Sequence, residues 1–461
     1  MNTKNKMGTI HVNKLIWTMG LPMILSMVLQ AVYNVVDTIF VINSSAATQG
    51  NAALTAVFPI QILIIAIGVG TGVGINALLS RKLGENDRKT VNQIAGNGIF
   101  LAIVIYAFFL LFGLLFSTPY MRLMSNDPVV IQMGTEYLQI CCCFSMGAVG
   151  FTVYERFLQA TGKTVHSMIA QVVGAVCNIL LDYVFVIVLN GGVAGAAWAT
   201  VIGQILSLAT AMLMHYIWNR EIDGDIRFIK PSGKIIGTIY KIGVPAAVMQ
   251  ALLAVMMFLV LQVFKVIDNT VTRALMINAY GIYYKIMQTA LFACFGLSNT
   301  LISAVSFNYG LKDTKRLNLA MKYGILNSVI VSTVIMLLFQ LFAAPIAKLF
   351  GLSLPEISAD GIAKADILST CGSAMHIATL GYIFMGISVA IQGILQGLRS
   401  IYKPILISLL RLIVFVIPFA VHFCLGENVA NNFWWTFVIA EFFTAVCSLF
   451  LLKGTKTSIT K

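Results

Sequence analysis

Charge is scarce in this sequence. Only 10% of its 461 residues are charged and 59% are hydrophobic, whereas a soluble domain carries roughly 25% charged residues. That shortage excludes a water-soluble protein built on one core, because no single core hides so much apolar surface. Lipid is the solvent that fits the excess. Acids are scarcer than bases, 17 against 30, but the resulting net charge of +13 does not indicate nucleic acid. No basic stretch lies beside aromatic stacking positions on polar sequence. The eight cysteines and five histidines show no metal-type spacing. Cys141, Cys142 and Cys143 stand together in an apolar run, and the others lie in or at the ends of such runs, so free thiols acting as small hydrophobes are expected. There is no nucleophile with a base at suitable spacing and no phosphate-cradling glycine loop. An enzyme is therefore not expected, nor a cofactor. No cleavable leader is expected either: the first apolar run, 15–42, is long enough to span and no small-residue cleavage pattern follows it.

What is present is a succession of apolar windows of about twenty residues. Twelve spans are expected near 14–42, 54–80, 93–117, 129–160, 164–188, 193–218, 238–265, 276–306, 318–347, 365–395, 402–425 and 432–453. The joints between them alternate in charge. The second holds Arg81, Lys82, Arg88 and Lys89, the sixth Arg220, Arg227, Lys230, Lys234 and Lys241, and the eighth Lys312, Lys315, Arg316 and Lys322. Roughly 23 of the 30 Lys and Arg fall on this side and about five on the other. The basic side is expected to be cytoplasmic, with both termini on it, in the cytoplasmic membrane of a bacterium.

An internal repeat organises the spans. SRKLGENDRKTVNQIAGNGI, from Ser80, aligns without gaps with SFNYGLKDTKRLNLAMKYGI, from Ser306. Gly84 falls on Gly310, Asp87 on Asp313, Asn92 on Asn318 and Gly98 on Gly324. The MGLP ending at Pro22 matches the IGVP ending at Pro245, and FLQATGKT from Phe157 matches ILQGLRSI from Ile394. The expected fold is all-α and integral to the membrane, with two pseudo-symmetric six-helix lobes. The lobes are expected at 1–218 and 238–461, with an inter-lobe linker at 219–237. Two such halves rocking about a midplane cavity are a transporter design.

Acids inside spans cost about 2.5–3.5 kcal/mol each on insertion scales and need a reason. Asp37 lies in the first span and Asp182 in the fifth, and Glu155 precedes Arg156 in the fourth. Asn178 and Asp182, four apart, share a helical face; Thr200 in the sixth span adds a hydroxyl. These oxygens suit a hard cation such as sodium, and the paired carboxylates equally suit protons. Asp37 aligns with Val260 and Asp182 with Phe419, so symmetry is broken at the acids. In the second half, Lys285 and Glu441 are expected to pair and lock helices together, with Arg411 the remaining charge. Pro22 permits a kink. The 21 methionines are expected mainly as packing, some as pliable cavity wall. The glycines of IGVGTGVG, 67–74, read as close helix packing in lipid.

With the GLP opening, Asp37, YERFLQATGKT, NILLD, GAAWAT and the paired loops in place, the chain resembles the multidrug and toxic compound extrusion (MATE) family. It looks most like the DinF-like branch that includes the MepA-type exporters. The resemblance implies a V-shaped fold that exports cationic amphipathic compounds by antiport with sodium or protons. It also implies a coupling site, and the place of any bound Na+, at Asp37, Asn178, Asp182 and Thr200. Cargo is expected between the lobes, near Gln30, Tyr33, Asn34, Gln61 and Glu155. The alternative is a lipid-linked oligosaccharide flippase of the same superfamily, whose phosphate-bearing cargo calls for a basic cavity. Expected partners are small organic cations and the bilayer, with no nucleic acid, and the unit is expected to be a monomer.

Overall fold

The computed structural model describes residues 5–42, 47–223, 228–352, 354, 356–358 and 361–460. The side chains at 34, 35, 37–42, 47, 48, 51 and 456–460 lie outside the described set, and Asn34 and Asp37 are among them. The described residues are helical, with no strand beyond one isolated bridge between Ile357 and Ala363. Among the described residues eleven helices are long and apolar enough to cross a membrane, or twelve when one bent pair counts as a single span.

The first six spans are Val12–Ile42, Ala47–Gly84, Arg88–Leu115, the bent pair Pro128–Cys143 and Met146–Ala160, Thr164–Val188 and Gly192–Trp218. The second six are Gly233–Val263, Thr270–Gly310, Thr314–Leu341, Lys364–Gly397, Tyr402–Leu425 and Val429–Thr455. Span four, expected as one helix, is bent by 41° at Phe144–Ser145. Two short helices follow spans three and nine, Ser117–Met124 and Ala343–Phe350. They stand at equivalent places in the repeat and show exposed apolar residues, Leu123 and Leu349 among them, as interfacial helices do.

Each repeated residue has a structural task. Asp87 caps span three by accepting from the Thr90 backbone N–H at 3.2 Å, and Asp313 caps span nine by accepting from Arg316 N–H at 3.0 Å. The Ser80 hydroxyl donates to the Ala160 carbonyl, and its equivalent Ser306 donates to that of Gly397. Gly84 and Gly310 lie where spans two and eight cross. A Cβ on Gly84 would overlap the Phe307 carbonyl oxygen, and one on Gly310 that of Arg81. Arg81 and Phe307 are themselves repeat equivalents, so the contact is reciprocal. Further along, spans two and seven meet at Gly70 and Gly243, each of which faces the other's carbonyl. Between these crossings the Ser303 hydroxyl donates to Asn76 Oδ1 at 2.9 Å, joining the halves.

A strap breaks the symmetry at this basic end. Met7, fully buried, packs with Leu15, Met19 and Phe307. Arg316 donates to the Met7 and Ile10 carbonyls at 2.9 and 2.8 Å. On the other side Asn5 donates to Glu221, which also lies 3.9 Å from the Lys163 ammonium. Burial pushes the lysine pKa values of Lys6 and Lys163 down, and for Lys6 the neighbouring Lys163 adds to the effect.

The second half holds one buried ion pair, and it is not the expected one. Glu441 accepts from Arg411 Nε at 2.6 Å, with the two side chains 13% and 4% exposed, while Lys285 is exposed. Rotation about each helix axis decides which charges meet, and here it turns Arg411 inward. Removing one partner leaves an uncompensated buried charge, so Glu441→Ala is expected to destabilise by about 3–5 kcal/mol. Replacing both partners with leucine recovers most of that loss, and Lys285→Ala is neutral; thermal unfolding in detergent measures all three. In the same assay Gly243→Ala is expected to cost about 1–3 kcal/mol through overpacking. Gly237→Ala, in the same span with open space around it, is expected to be silent.

Candidate functional site

Of the residues predicted for coupling, Asn178 and Thr200 meet through another glycine crossing. Spans five and six touch at Gly174 and Gly203. A Cβ at Gly174 would overlap the Ser207 hydroxyl, and one at Gly203 would lie 3.0 Å from Asn178 Cβ. That approach sets Asn178 beside Thr200, with Asn178 Nδ2 donating to Thr200 Oγ1 at 3.5 Å. The amide spends its donor there, and its buried Oδ1 has no hydrogen-bond partner. One turn on, Asp182 is fully buried at the point where span five passes from α-helix into a π-helical stretch, Tyr183–Val188. Such stretches misalign the backbone ladder and recur at functional sites. Arg411 sits in the corresponding span of the second half, also in a π-helical stretch, Leu410–Val414.

Against this pocket lies a cavity of about 250 Å³ between the two halves. Its first-half wall includes Gln30, Tyr33, Glu155, Arg156, Asn178 and Thr200; Phe292, Phe295 and Met249 face it from the second half. Asn178 therefore serves two places, as cavity wall beside Thr200 and as the residue one helical turn from Asp182. Among the described residues Glu155 and Arg156 are the charges on the lining. Both are buried, with Glu155 Oε2 3.9 Å from Arg156 Nε.

Gln61, expected in the cavity, instead donates to the Tyr137 hydroxyl at 2.6 Å and is not part of the lining. Pro22 lies within an otherwise continuous helix, buried next to the crossing of spans one and eight. The side chains of Asp37 and Asn34 fall outside the described residues. Sequence reasoning treated Arg156 only as a neighbour for Glu155, and did not weigh Gln171, Gln204, Asn299 and Gln396 as lining. The available signal was an amide in the middle of an apolar span. Among the described residues no group of three or more His, Cys, Asp and Glu is placed to hold a metal.

The MatE family model matches residues 22–184 and 245–422, one stretch in each half. The multidrug export protein MepA of Staphylococcus haemolyticus is 22% identical over 449 residues, covering 96% of this chain and 93% of that protein. MepA of Staphylococcus aureus (strain MSSA476) is 22% identical over 397 residues, with 84% and 85% covered. Among solved structures, an outward-facing multidrug resistance MATE transporter of the MOP superfamily superposes with a TM-score of 0.91 at 21% identity, covering 100% and 99% of the chains. A MOP superfamily transporter from Pyrococcus furiosus, described as having a binding pocket of reversed polarity, gives 0.85 at 22% identity with both chains covered in full. With family matches in both halves and the same fold throughout, this chain belongs to the MatE family of membrane transporters.

Proposed function

We propose that this chain is a multidrug exporter of the cytoplasmic membrane, moving amphipathic organic cations outward by antiport with Na+ or H+. One observation carries the proposal: Asn178, one helical turn from buried Asp182, lines the inter-lobe cavity together with Thr200, to which its amide is bonded. A cation held at Asp182 and cargo held in the cavity then share a wall. Occupancy of one changes the free energy of the other, which is what coupling requires.

The donor set fits a hard cation. It consists of a carboxylate, a hydroxyl and an amide oxygen that lacks any other partner, all oxygen ligands. Asp37, in span one, completes the set in this proposal. A proton is the alternative coupling ion in this proposal, taken up by a carboxylate in place of the cation. The basic end is assigned to the cytoplasm from the charge bias of its joints. The lobes are assigned to 1–218 and 238–461. The neutral total of Glu155 and Arg156 favours this cargo over the phosphate-bearing lipid of a flippase.

Uptake of a cationic dye into inverted vesicles, with sodium and pH gradients imposed separately, tests the function. Dye is expected to move under one gradient and to stop in Asp37→Asn and Asp182→Asn. Movement under neither gradient overturns the proposal and makes lipid-linked saccharides the next cargo to assay. In the same assay, Thr200→Ala and Asn178→Ala each remove one oxygen and are expected to raise the half-activating ion concentration about tenfold. Orientation is checked in whole cells of a cysteine-depleted variant with an impermeant maleimide. A cysteine placed at Glu356 is expected to react and one placed at Lys89 to stay protected.

A further inference from the structure

At the basic end of the first half, the segment between spans six and seven roofs a second cavity of about 90 Å³. It shares no lining residue with the cavity between the halves. The roof is laid on span three. Gly96 makes room for it, since a Cβ there would overlap the Phe228 carbonyl oxygen. Asn92 accepts from the Asp223 backbone N–H at 2.9 Å. Asn97 accepts from that of Ser232 at 2.8 Å and donates to the Lys230 carbonyl at 3.1 Å. In the repeat Gly96 and Asn97 fall on Lys322 and Tyr323, so this bed is peculiar to the first half.

The walls are aromatic. Tyr154, Phe157, His215 and Tyr216 line the cavity with Phe228, and the first four form one cluster with contacting ring centroids 5.4–6.4 Å apart. A lipid-facing girdle does not account for them, because Tyr154, Phe157 and His215 are buried. Helix packing does not demand them either: the repeat places Ile391 and Ile394 where the first half has Tyr154 and Phe157. The Asn219 amide nitrogen donates to His215 Nδ1 at 3.1 Å, so that ring nitrogen carries no proton. Among the described residues Asp223 is the one acid on the lining, and no Lys or Arg joins it. Asp223 and Tyr216 are exposed and stand at the rim. Aromatic rings with a single carboxylate are the surroundings in which an alkylated ammonium is held, by cation–π attraction and by charge. The geometry points to a binding site here for a small alkylammonium group, apart from the cargo path. A free solute and a lipid headgroup present the same chemistry. Either occupant touches spans four and six and the segment above them, and so stabilises the docked segment.

The test is thermal unfolding of the full chain in detergent, titrated with choline chloride at constant ionic strength. The control is the neutral isostere of choline, with carbon in place of the quaternary nitrogen. Choline is expected to raise Tm saturably at millimolar concentration, and the isostere to leave it unchanged. Asp223→Asn, which keeps the backbone bond to Asn92, and Tyr216→Leu, at an exposed position, are each expected to raise the half-saturating concentration about tenfold. Tyr154→Phe, which keeps the ring, is expected to bind as the wild type does. Repeating the titration in phosphatidylglycerol nanodiscs with and without phosphatidylethanolamine separates the two sources. Weaker choline binding in the ethanolamine lipid identifies a headgroup as the occupant, and equal binding identifies a free solute. No saturable shift, or an equal shift with the isostere, overturns the inference. So does a choline response that survives both Asp223→Asn and Tyr216→Leu, which would place the ligand in the cavity between the halves.

Discussion

Everything in this molecule depends on backbone meeting backbone at one end of the bundle. Where spans two and eight cross, Gly84 faces the Phe307 carbonyl and Gly310 faces that of Arg81. Where spans two and seven cross, Gly70 and Gly243 face each other. Helices approach this closely only where side chains are absent, and in lipid such packing replaces the hydrophobic drive that holds soluble cores together. Because the residues in contact are repeat equivalents, the first crossing is self-complementary, as in a two-fold interface between identical subunits. The cavity is what remains between the halves once they are pinned at that end.

On this symmetric frame the charges are placed asymmetrically. The first half buries Asp182 one helical turn from Asn178, whose amide forms cavity wall with the Thr200 hydroxyl it bonds. The second half buries Arg411 against Glu441 and neutralises both within the lobe. The two differ in what they can exchange. A salt bridge with a 2.6 Å bond has its counter-charge already in place, and taking up an ion there would break it. Asn178 has a buried acceptor with nothing on it. π-helical stretches stand at both places, in spans five and eleven, so the same backbone device follows Asp182 in one half and carries Arg411 of the lock in the other.

The spans were legible because a bilayer demands about twenty apolar residues wherever the chain crosses it. Helices such as Thr270–Gly310 overrun their expected ends since nothing stops a helix at the headgroups. The repeat was legible as sequence, but its meaning was not. That Asp87 and Asp313 are caps, or that Gly84 and Gly310 cross the partner half, emerges only when the strands of the argument are joined in space. The pairing of Lys285 with Glu441 failed for a related reason. A span's sequence gives the angle between its residues, whereas the rotation of the whole helix against its neighbours is set by packing, and that rotation chose Arg411. Gln61 was lost to Tyr137 in the same way. Asn178 and Thr200 meet because Gly174 and Gly203 let spans five and six approach closely.

A seal made of backbone also sets how the closed end opens. At the glycine crossings themselves backbone faces backbone, with no side chain of the glycine to displace. Around them the halves are held by apolar clusters, such as Val73 and Ala77 with Ile242, Ala246 and Ile302, and by polar ties: Ser303 to Asn76, Asn327 to Asn13, Arg81 over the Tyr309 ring at 4.6 Å, and the strap. The strap is held unequally. On the second half Arg316 grips the carbonyls of Met7 and Ile10 with two short bonds and is itself fixed by Asn308. On the first half Lys6 and Lys163, two like charges half-buried together, share the single carboxylate of Glu221. The strap is thus tied to both halves, by Arg316 on the second and by Asn5 to Glu221 on the first, and only on the first do two like charges work against the tie.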